Sequence, residues 1–144
     1  MKSNRAFTMA ELMVVVLVVG ILAVAAVPLM SGRNESWKWS ESKAAMGTIA
    51  AALRAYASEK GTFTSTPSLS TIGITDSELD GVCFSHEAYG ITSASAANGQ
   101  VSFVITCTAA HSTRSGKPTY PAAMTLTSNA ANGYTATFAA KSGN

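Results

Sequence analysis

The apolar residues of this chain are concentrated in one uninterrupted run near its start. From Leu12 to Met30, nineteen consecutive residues carry no charged side chain. As an α-helix rising about 1.5 Å per residue, this run would be about 28 Å long, close to the roughly 30 Å hydrocarbon core of a bilayer. The pattern predicts a helix embedded in a membrane.

A second apolar pattern begins at Glu41 and has the period of an amphipathic helix. Its large side chains recur at three- and four-residue spacing, and charged residues occupy other positions. Gly61 follows Lys60 and is the residue type that most often ends a helix. The sequence therefore predicts a helix that ends at Lys60 and packs one apolar stripe into a core: Met46, Ile49, Leu53 and Tyr56.

The part of the chain after residue 81 shows the alternation that is typical of β-strands. Residues 62–81 are rich in Ser, Thr, Pro and Gly and predict an irregular connector before it. The clearest strand, Gln100–Ala109, places alternate apolar residues on one face: Val101, Phe103, Ile105 and Cys107. The other predicted strands are Val82–Ser85, Met124–Thr127 and Tyr134–Ala139, the last with Tyr134, Ala136 and Phe138 on one face.

Two Asn-Gly pairs, Asn98-Gly99 and Asn132-Gly133, lie just before predicted strands. Asn-Gly is the strongest short signal for a two-residue hairpin turn, so both pairs predict antiparallel neighbours. The predicted fold class is α+β. It consists of one long N-terminal helix, whose first half is transmembrane, packed on a small antiparallel sheet of three or four strands.

Length and charge limit the classes of function. At 144 residues the chain has room for one compact domain and one extended element. Of ten basic residues, two (Lys2 and Arg5) lie within residues 1–6, so the remaining chain has eight basic and eight acidic residues. This balance offers no basic patch for nucleic acid. No nucleophile–base–acid set, Walker loop or HExxH motif occurs, so we expect neither an enzyme nor a bound cofactor.

One carboxylate interrupts the apolar start of the chain. Two basic residues followed by an apolar run are typical of a secretory signal, but Glu11 lies inside this apolar segment. An ionisable group at membrane depth costs about 2.5 kcal/mol or more, and such groups are usually paired or functional. Glu11 is therefore a candidate functional residue.

The segment Ala6-Phe7-Thr8-Met9-Ala10-Glu11-Leu12 and the run after it resemble the class III signal of type IV prepilins and of type II secretion pseudopilins. The resemblance covers roughly the first 60 residues. In that family a prepilin peptidase cuts on the cytoplasmic side of the apolar helix and methylates the new N-terminal amine. The resemblance implies cleavage between Ala6 and Phe7, and N-methylation of Phe7. The family usually has Gly before the cut, so Ala6 predicts slower processing.

The resemblance also implies roles for three residues of the apolar run. Glu11 matches the family's glutamate, the fifth residue of the mature chain. We expect it to pair with the N-terminal amine of its own or a neighbouring subunit, although it could instead reach the interface as part of a cytoplasmic cap. Gly20 and Pro28 fall where many pilins carry helix-weakening residues. They either kink the helix or allow the segment between them to become extended in a filament.

The predicted exit from the bilayer lies at Ser31-Gly32-Arg33-Asn34. Arg33 and Lys38 are placed to lie at the interface, and Trp37 and Trp39 are the residue type found in interfacial aromatic belts. Because alternate residues cannot share one helix face, we expect one of the two tryptophans to pack under the sheet instead.

Two cysteines, Cys83 and Cys107, follow the membrane run. With His86 and His111 they have a spacing that superficially matches a Cys2His2 zinc set, and the alternative is one disulfide with two surface histidines. Export to an oxidising compartment favours the disulfide, and pilins often carry one in this C-terminal region. It would close a loop of about 25 residues and contribute about 3.5 kcal/mol. We expect no metal.

The acidic residues favour a pilus subunit over the major pseudopilin. Asp76, Glu78 and Asp80 alternate in the connector, but the glutamate that ends an EF-hand loop is missing, so a solvated loop is expected. The major pseudopilin of the family has a C-terminal acidic calcium loop. In this chain Glu87 is the last acidic residue.

The sequence therefore predicts a leader (residues 1–6), a transmembrane and assembly helix (residues 7–30) and a globular head (residues 31–144). We expect a structural pilin that polymerises through its helix. The implied partners are identical or homologous pilins, the prepilin peptidase, an inner-membrane platform protein and an assembly ATPase. The implied location is the bacterial inner membrane and then an extracellular filament. A type II secretion pseudopilin is the first alternative, and a membrane-anchored adhesin-like module is the second.

Overall fold

A computed structural model describes residues 7–141 and the side chains of residues 7–24 and 35–141. The chain divides into two units, Met1–Asn34 and Glu35–Asn144. One helix, α1 (Met9–Lys60), contributes to both units. The second unit also contains a one-turn helix, α2 (Asp76–Leu79), and short 3-10 turns at His86–Ala88, Ala109–His111 and Ala130–Asn132.

Four strands form one antiparallel sheet in the order β1-β2-β3-β4. Their bounds are β1 (Tyr89–Ala97), β2 (Gln100–Thr108), β3 (Ala123–Ser128) and β4 (Thr137–Lys141). Each strand pairs with the next one along the chain. A long N-terminal helix followed by a small four-stranded antiparallel sheet is the predicted α+β, pilin-like layout, which is thereby confirmed.

The end of α1 follows the prediction. The helix ends at Lys60, and Gly61 has φ +75°, a left-handed conformation that glycine adopts without a Cβ clash. The Gly61 N–H donates to the carbonyl of Ala57 at 2.9 Å, which satisfies one carbonyl of the last turn.

The core of the second unit lies between the α1 stripe and one face of the sheet. Met46, Ile49 and Leu53 are fully buried, and they share one cluster with the inward residues of β2. That inward face is the one that the alternation predicted, with three residues at most 1% exposed: Phe103, Ile105 and Cys107. The stripe is therefore confirmed as core at Met46, Ile49 and Leu53, and the β2 face at Phe103, Ile105 and Cys107, whereas Tyr56 and Val101 are only half-buried.

One of the two predicted hairpin turns is confirmed. Asn98 and Gly99 join β1 to β2 with φ values of +53° and +74°, and positive φ at both positions is what a type I′ turn needs. Asn132-Gly133 does not form such a turn. Asn129 and Asn132 instead hydrogen bond reciprocally around a 3-10 turn, which makes the β3–β4 connection longer.

Two strand predictions were wrong at specific residues, and one strand was not predicted. Val82–Ser85 is not a strand, because its main-chain N–H groups bond to side chains and not to a neighbouring strand. Tyr134 and Ala136 precede β4 and are not part of it, and Tyr134 has φ +60°, which lies outside the extended conformation of a regular strand. β1 was not predicted, since it consists mainly of Ser, Ala and Thr and carries few large apolar side chains.

Trp39 is the tryptophan that packs inside the head, as expected for one of the pair. It is 3% exposed, and its ring centroid lies 5.1 Å from that of Phe84. Its indole N–H donates to the carbonyl of Tyr120 at 3.2 Å, which satisfies the one polar atom of the buried ring. Trp37 is 52% exposed.

The carboxylate of Glu41 fixes the loop after α2 to the helix. Its Oε1 accepts from the N–H groups of Cys83 at 3.0 Å and Phe84 at 2.9 Å. Its Oε2 accepts from the N–H of Val82 at 3.2 Å and again from Cys83 at 3.2 Å. Three consecutive N–H groups that no strand satisfies are therefore satisfied by one side chain. Gly81 supports this contact, since a Cβ on Gly81 would collide with the Glu41 carboxylate.

Glu41→Ala should lower the free energy of unfolding by about 2–3 kcal/mol, because it leaves these three N–H groups without their charged acceptor. The measurement is urea unfolding of the full chain in detergent, followed by circular dichroism. Glu59→Ala is the matched control, since Glu59 is an exposed glutamate of the same helix and should change stability by less than about 0.5 kcal/mol. Equal stability of the two variants would show that the Glu41 contact contributes nothing.

Candidate functional site

The start of α1 is closed by a reciprocal pair of hydrogen bonds between Thr8 and Glu11. The Thr8 N–H and the Thr8 hydroxyl both donate to Glu11 Oε2 at 3.0 Å. In return, the Glu11 N–H donates to Thr8 Oγ1 at 3.3 Å. This is a capping box, in which residues three apart satisfy each other's free donors. The first main-chain bond of the helix follows, from the Leu12 N–H to the Thr8 carbonyl at 3.2 Å.

The Glu11 carboxylate lies on an exposed and otherwise apolar surface of α1. Phe7, Ala10, Val14 and Val15 border it and form a shallow, open groove with it. Thr8 supplies both hydrogen bonds that reach the carboxylate from the described residues, and both go to Oε2. Oε1 accepts none from the part of the chain that the structure describes. The groove therefore offers one negatively charged oxygen surrounded by apolar side chains.

The large apolar side chains of residues 7–24 are exposed in the single chain. Their exposed fractions run from 47% at Val18 to 84% at Met9. Among the residues with a described structure, no helix has the length and apolarity needed to cross a membrane. A surface of this kind is rare on a monomeric soluble protein and marks a site of association.

The other predicted residues of the N-terminus are only partly covered by the structure. The leader, residues 1–6, lies outside the described residues and includes Ala6, whereas Phe7 is described and is 77% exposed. The helix passes through Gly20 and Pro28. The side chains of residues 25–34, and with them Pro28 and Arg33, lie outside the described residues. The roles of Gly20 and Pro28 in a filament stay predictions.

Cys83 and Cys107 are buried and are not bonded to each other in the structure. Burial raises the pKa of the Cys107 thiol to about 12 and, with the nearby Glu41 charge, also raises the pKa of Cys83. Buried neutral thiols are poor nucleophiles, so neither residue is a candidate catalytic group. Both belong to the same core cluster. Their disulfide stays a prediction, which a count of free thiols in the native protein would test.

The two histidines do not meet the cysteines at a metal site. Among the described residues, no group of three or more His, Cys, Asp or Glu side chains could hold a metal ion. His86 instead contacts carboxylates: its Nδ1 lies 3.2 Å from Asp80 Oδ1, and its Nε2 lies 3.9 Å from Asp76 Oδ2 and 4.0 Å from Glu87 Oε1. Arg114 completes the cluster at 3.5 Å from the other Asp80 oxygen.

Protonation of His86 stabilises this cluster. The hydrogen bond with Asp80 and the charges of Asp76, Glu87 and Asp80 raise the pKa of His86 above its usual value of 6.5, although its partial desolvation opposes them. The main-chain N–H and ring of His86 in turn lower the pKa of Asp80. A raised pKa in the folded state means that the stabilisation is complete below the unfolded pKa and is lost as the pH rises through the folded value.

The thermal unfolding midpoint of the full chain in detergent should therefore decrease as the pH is raised from about 6 to about 8. His86→Gln should remove the part of this decrease that His86 causes. His111→Gln is the control, since His111 is exposed and forms no ion pair with a described carboxylate. Differential scanning calorimetry across this range makes the comparison. Parallel pH profiles for the natural chain and His86→Gln would contradict the assignment.

Two residues with structural roles were not predicted from the sequence: Thr8 at the start of α1 and Glu41 in the head. Thr8 could have been found, because Thr-x-x-Glu directly before an apolar run is the signature of a capping box. Glu41 could not, because its partners lie about forty residues further along the chain and are main-chain groups.

A family model described as the prokaryotic N-terminal methylation motif matches residues 1–27. No curated protein and no solved structure matches the chain. The matched segment includes Ala6, Phe7 and Glu11, so the resemblance drawn from those residues is confirmed. The motif implies processing by prepilin peptidase, anchoring in the inner membrane and later association with other pilin subunits in a filament. Residues 1–27 thus carry the class III signal peptide of type IV pilins and pseudopilins.

Proposed function

We propose that the chain is a structural subunit of a type IV pilus-like filament. A prepilin peptidase cleaves it between Ala6 and Phe7 and methylates the Phe7 amine, and the subunit then polymerises through α1. One observation carries the proposal: a single carboxylate, Glu11, lies at the exposed apolar start of a long helix, within the methylation motif.

Burial of the exposed apolar surface of α1 stabilises the subunit both in the membrane and in the filament. Full burial of a large apolar side chain contributes on the order of 1.5–3 kcal/mol relative to water. We infer that residues 7–30 lie in the bilayer before assembly and pack against the same residues of neighbouring subunits afterwards. The two environments are similarly apolar, so the hydrophobic effect alone does not favour the filament over the membrane. A more specific contact must fix one helix against the next.

The pairing of Glu11 with an N-terminal amine supplies that contact. Cleavage before Phe7 creates a cationic amine only one residue from Thr8, and the groove beside Glu11 has the apolar lining that suits another helix end. At 4 Å and an effective dielectric constant of about 20, opposite unit charges attract by about 4 kcal/mol. Thr8 already holds Oε2 and leaves Oε1 for the amine. We propose that the partner is the Phe7 amine of a neighbouring subunit.

The further partners are a platform protein in the inner membrane and an assembly ATPase. A filament subunit moves from the membrane into a polymer, and the sequence of this chain has no nucleotide-binding motif that could drive the step. We propose an extracellular, cell-surface location for the assembled form.

A pseudopilin of a type II secretion system is the alternative within the same class. Both share the methylation motif and differ in the filament they build. Surface fibres visible by electron microscopy on cells that express the chain at its natural level support the pilus. Their absence, together with a secretion defect on deletion, supports the pseudopilin. An uncut N-terminus and monomers in detergent would instead indicate an anchored binding module.

Glu11→Gln should leave cleavage at Phe7 intact and reduce the yield of sheared filaments at least about tenfold, since a lost interaction of about 1.4 kcal/mol per contact already corresponds to tenfold. Glutamine keeps an oxygen that can accept from Thr8 but carries no charge. N-terminal mass spectrometry measures processing, and the pilin content of the sheared fraction measures assembly. Natural yield from this variant would refute the pairing role.

Two control variants separate charge from helix capping. Thr8→Val removes the hydroxyl of the capping box and leaves the Glu11 charge, so its filament yield should fall much less than that of Glu11→Gln. Glu59→Gln removes a charge at the other end of α1 and should not change the yield. A loss in Thr8→Val equal to that in Glu11→Gln would mean that the carboxylate acts only as a cap.

A further inference from the structure

Three segments of the second unit enclose a polar cleft of about 230 Å³ at the C-terminal end of α1. The last turns of α1 contribute Arg54 and Ser58, the β1–β2 turn contributes Gly99 and Gln100, and Tyr134 closes the third side. We call this site the Arg54 cleft. From its contents we propose that it binds an acidic sugar, with the carboxylate on Arg54 and the hydroxyls on the polar groups around it.

Arg54 provides an available cation. Its Cζ lies 5.2 Å from the centroid of the Phe103 ring, a cation–π contact that orients the flat guanidinium without using its N–H donors. Arg54 forms no ion pair with any carboxylate that the structure describes, and no acidic side chain lines the cleft. The neighbouring Glu59 lines a different cleft, together with Tyr56 and Thr71. A guanidinium with its edge free binds a carboxylate through two parallel hydrogen bonds.

Tyr134 is held at the cleft in an unfavourable backbone conformation. Its φ of +60° is rare for a large side chain and is a form of strain that persists only where neighbouring contacts impose it. Those contacts are present: the Tyr134 N–H donates to the Asn129 carbonyl at 2.8 Å, and its carbonyl accepts from the Ser128 hydroxyl at 3.0 Å. The result is that a half-buried aromatic ring with a hydroxyl borders the same cavity as Arg54.

The remaining groups of the cleft favour a ligand with hydroxyls over a bare carboxylate. The Ser58 hydroxyl donates to the Arg54 carbonyl at 3.0 Å and can still accept. Gln100 offers an amide that both donates and accepts. Hydroxyl and amide oxygens accept from the hydroxyl donors of a sugar, which a bare carboxylate does not offer. A cavity of this volume is smaller than most ligand pockets, so it takes one sugar ring and not a longer chain.

The proposal is tested by NMR titration of the full chain, isotope-labelled and held in detergent micelles. The probes are glucuronate, glucose and acetate, which offer the carboxylate and hydroxyls together, the hydroxyls alone and the carboxylate alone. Glucuronate should shift the side-chain signals of Arg54 and Gln100 with a dissociation constant in the millimolar range, at least about tenfold tighter than either of the other probes. Equal responses to glucuronate and glucose, or no response at these signals, would overturn the proposal.

Variants and a peptide probe complete the design. Arg54→Gln should weaken glucuronate binding at least about tenfold, and Tyr134→Phe should weaken it less, whereas Lys60→Gln, which removes a cation outside the cleft, should have no effect. Equal weakening by Lys60→Gln and Arg54→Gln would show non-specific attraction by charge and would contradict the site. If a tetraglutamate peptide binds at the same signals more tightly than glucuronate, the occupant is an acidic polypeptide and the sugar assignment is wrong.

Discussion

A carboxylate placed in an apolar helix has to be satisfied by hydrogen bonds or by a positive charge, and in the proposed filament subunit this requirement applies to Glu11. In the single chain, Thr8 supplies two donors to one carboxylate oxygen. The other oxygen remains available in a groove lined by apolar side chains. A membrane or a filament core stabilises the apolar residues equally well, so the charge is the feature that distinguishes the two environments. We propose that the cationic amine created by cleavage before Phe7 is the complementary group.

In the head, hydrogen bonds also satisfy the carboxylate of a second glutamate of α1, Glu41. Glu41 accepts hydrogen bonds from three successive N–H groups of the loop that contains Cys83 and so joins this loop to α1. The sheet is small and much of it is built from Ser, Ala and Thr, which limits the apolar area that it can bury. A polar contact that closes a loop against the helix therefore matters more in this head than it would in a larger core.

The sequence predicted those elements whose signals are local. The period of Met46, Ile49 and Leu53 identified the buried face of α1, Gly61 marked its end, and alternation identified the inward face of β2. β1 was missed because its small residues carry no alternation of large apolar side chains, and Val82–Ser85 was misassigned because the partner of its N–H groups is a distant side chain. For the site, Glu11 and Phe7 followed from the motif. The capping role of Thr8 has a local sequence signature and could have been predicted. The Arg54 cleft could not, because three segments that are distant in the sequence form it.

In the proposed filament subunit, the processed chain begins with a new amine close to the Glu11 carboxylate. Mass spectrometry of the N-terminal peptide from the native protein, purified from its own cells, determines whether this amine is formed. We expect a chain that starts with N-methylated Phe7 and lacks residues 1–6. A functional protein that still carries Met1 would have no amine near Glu11, and the proposed assembly through that pair would be contradicted.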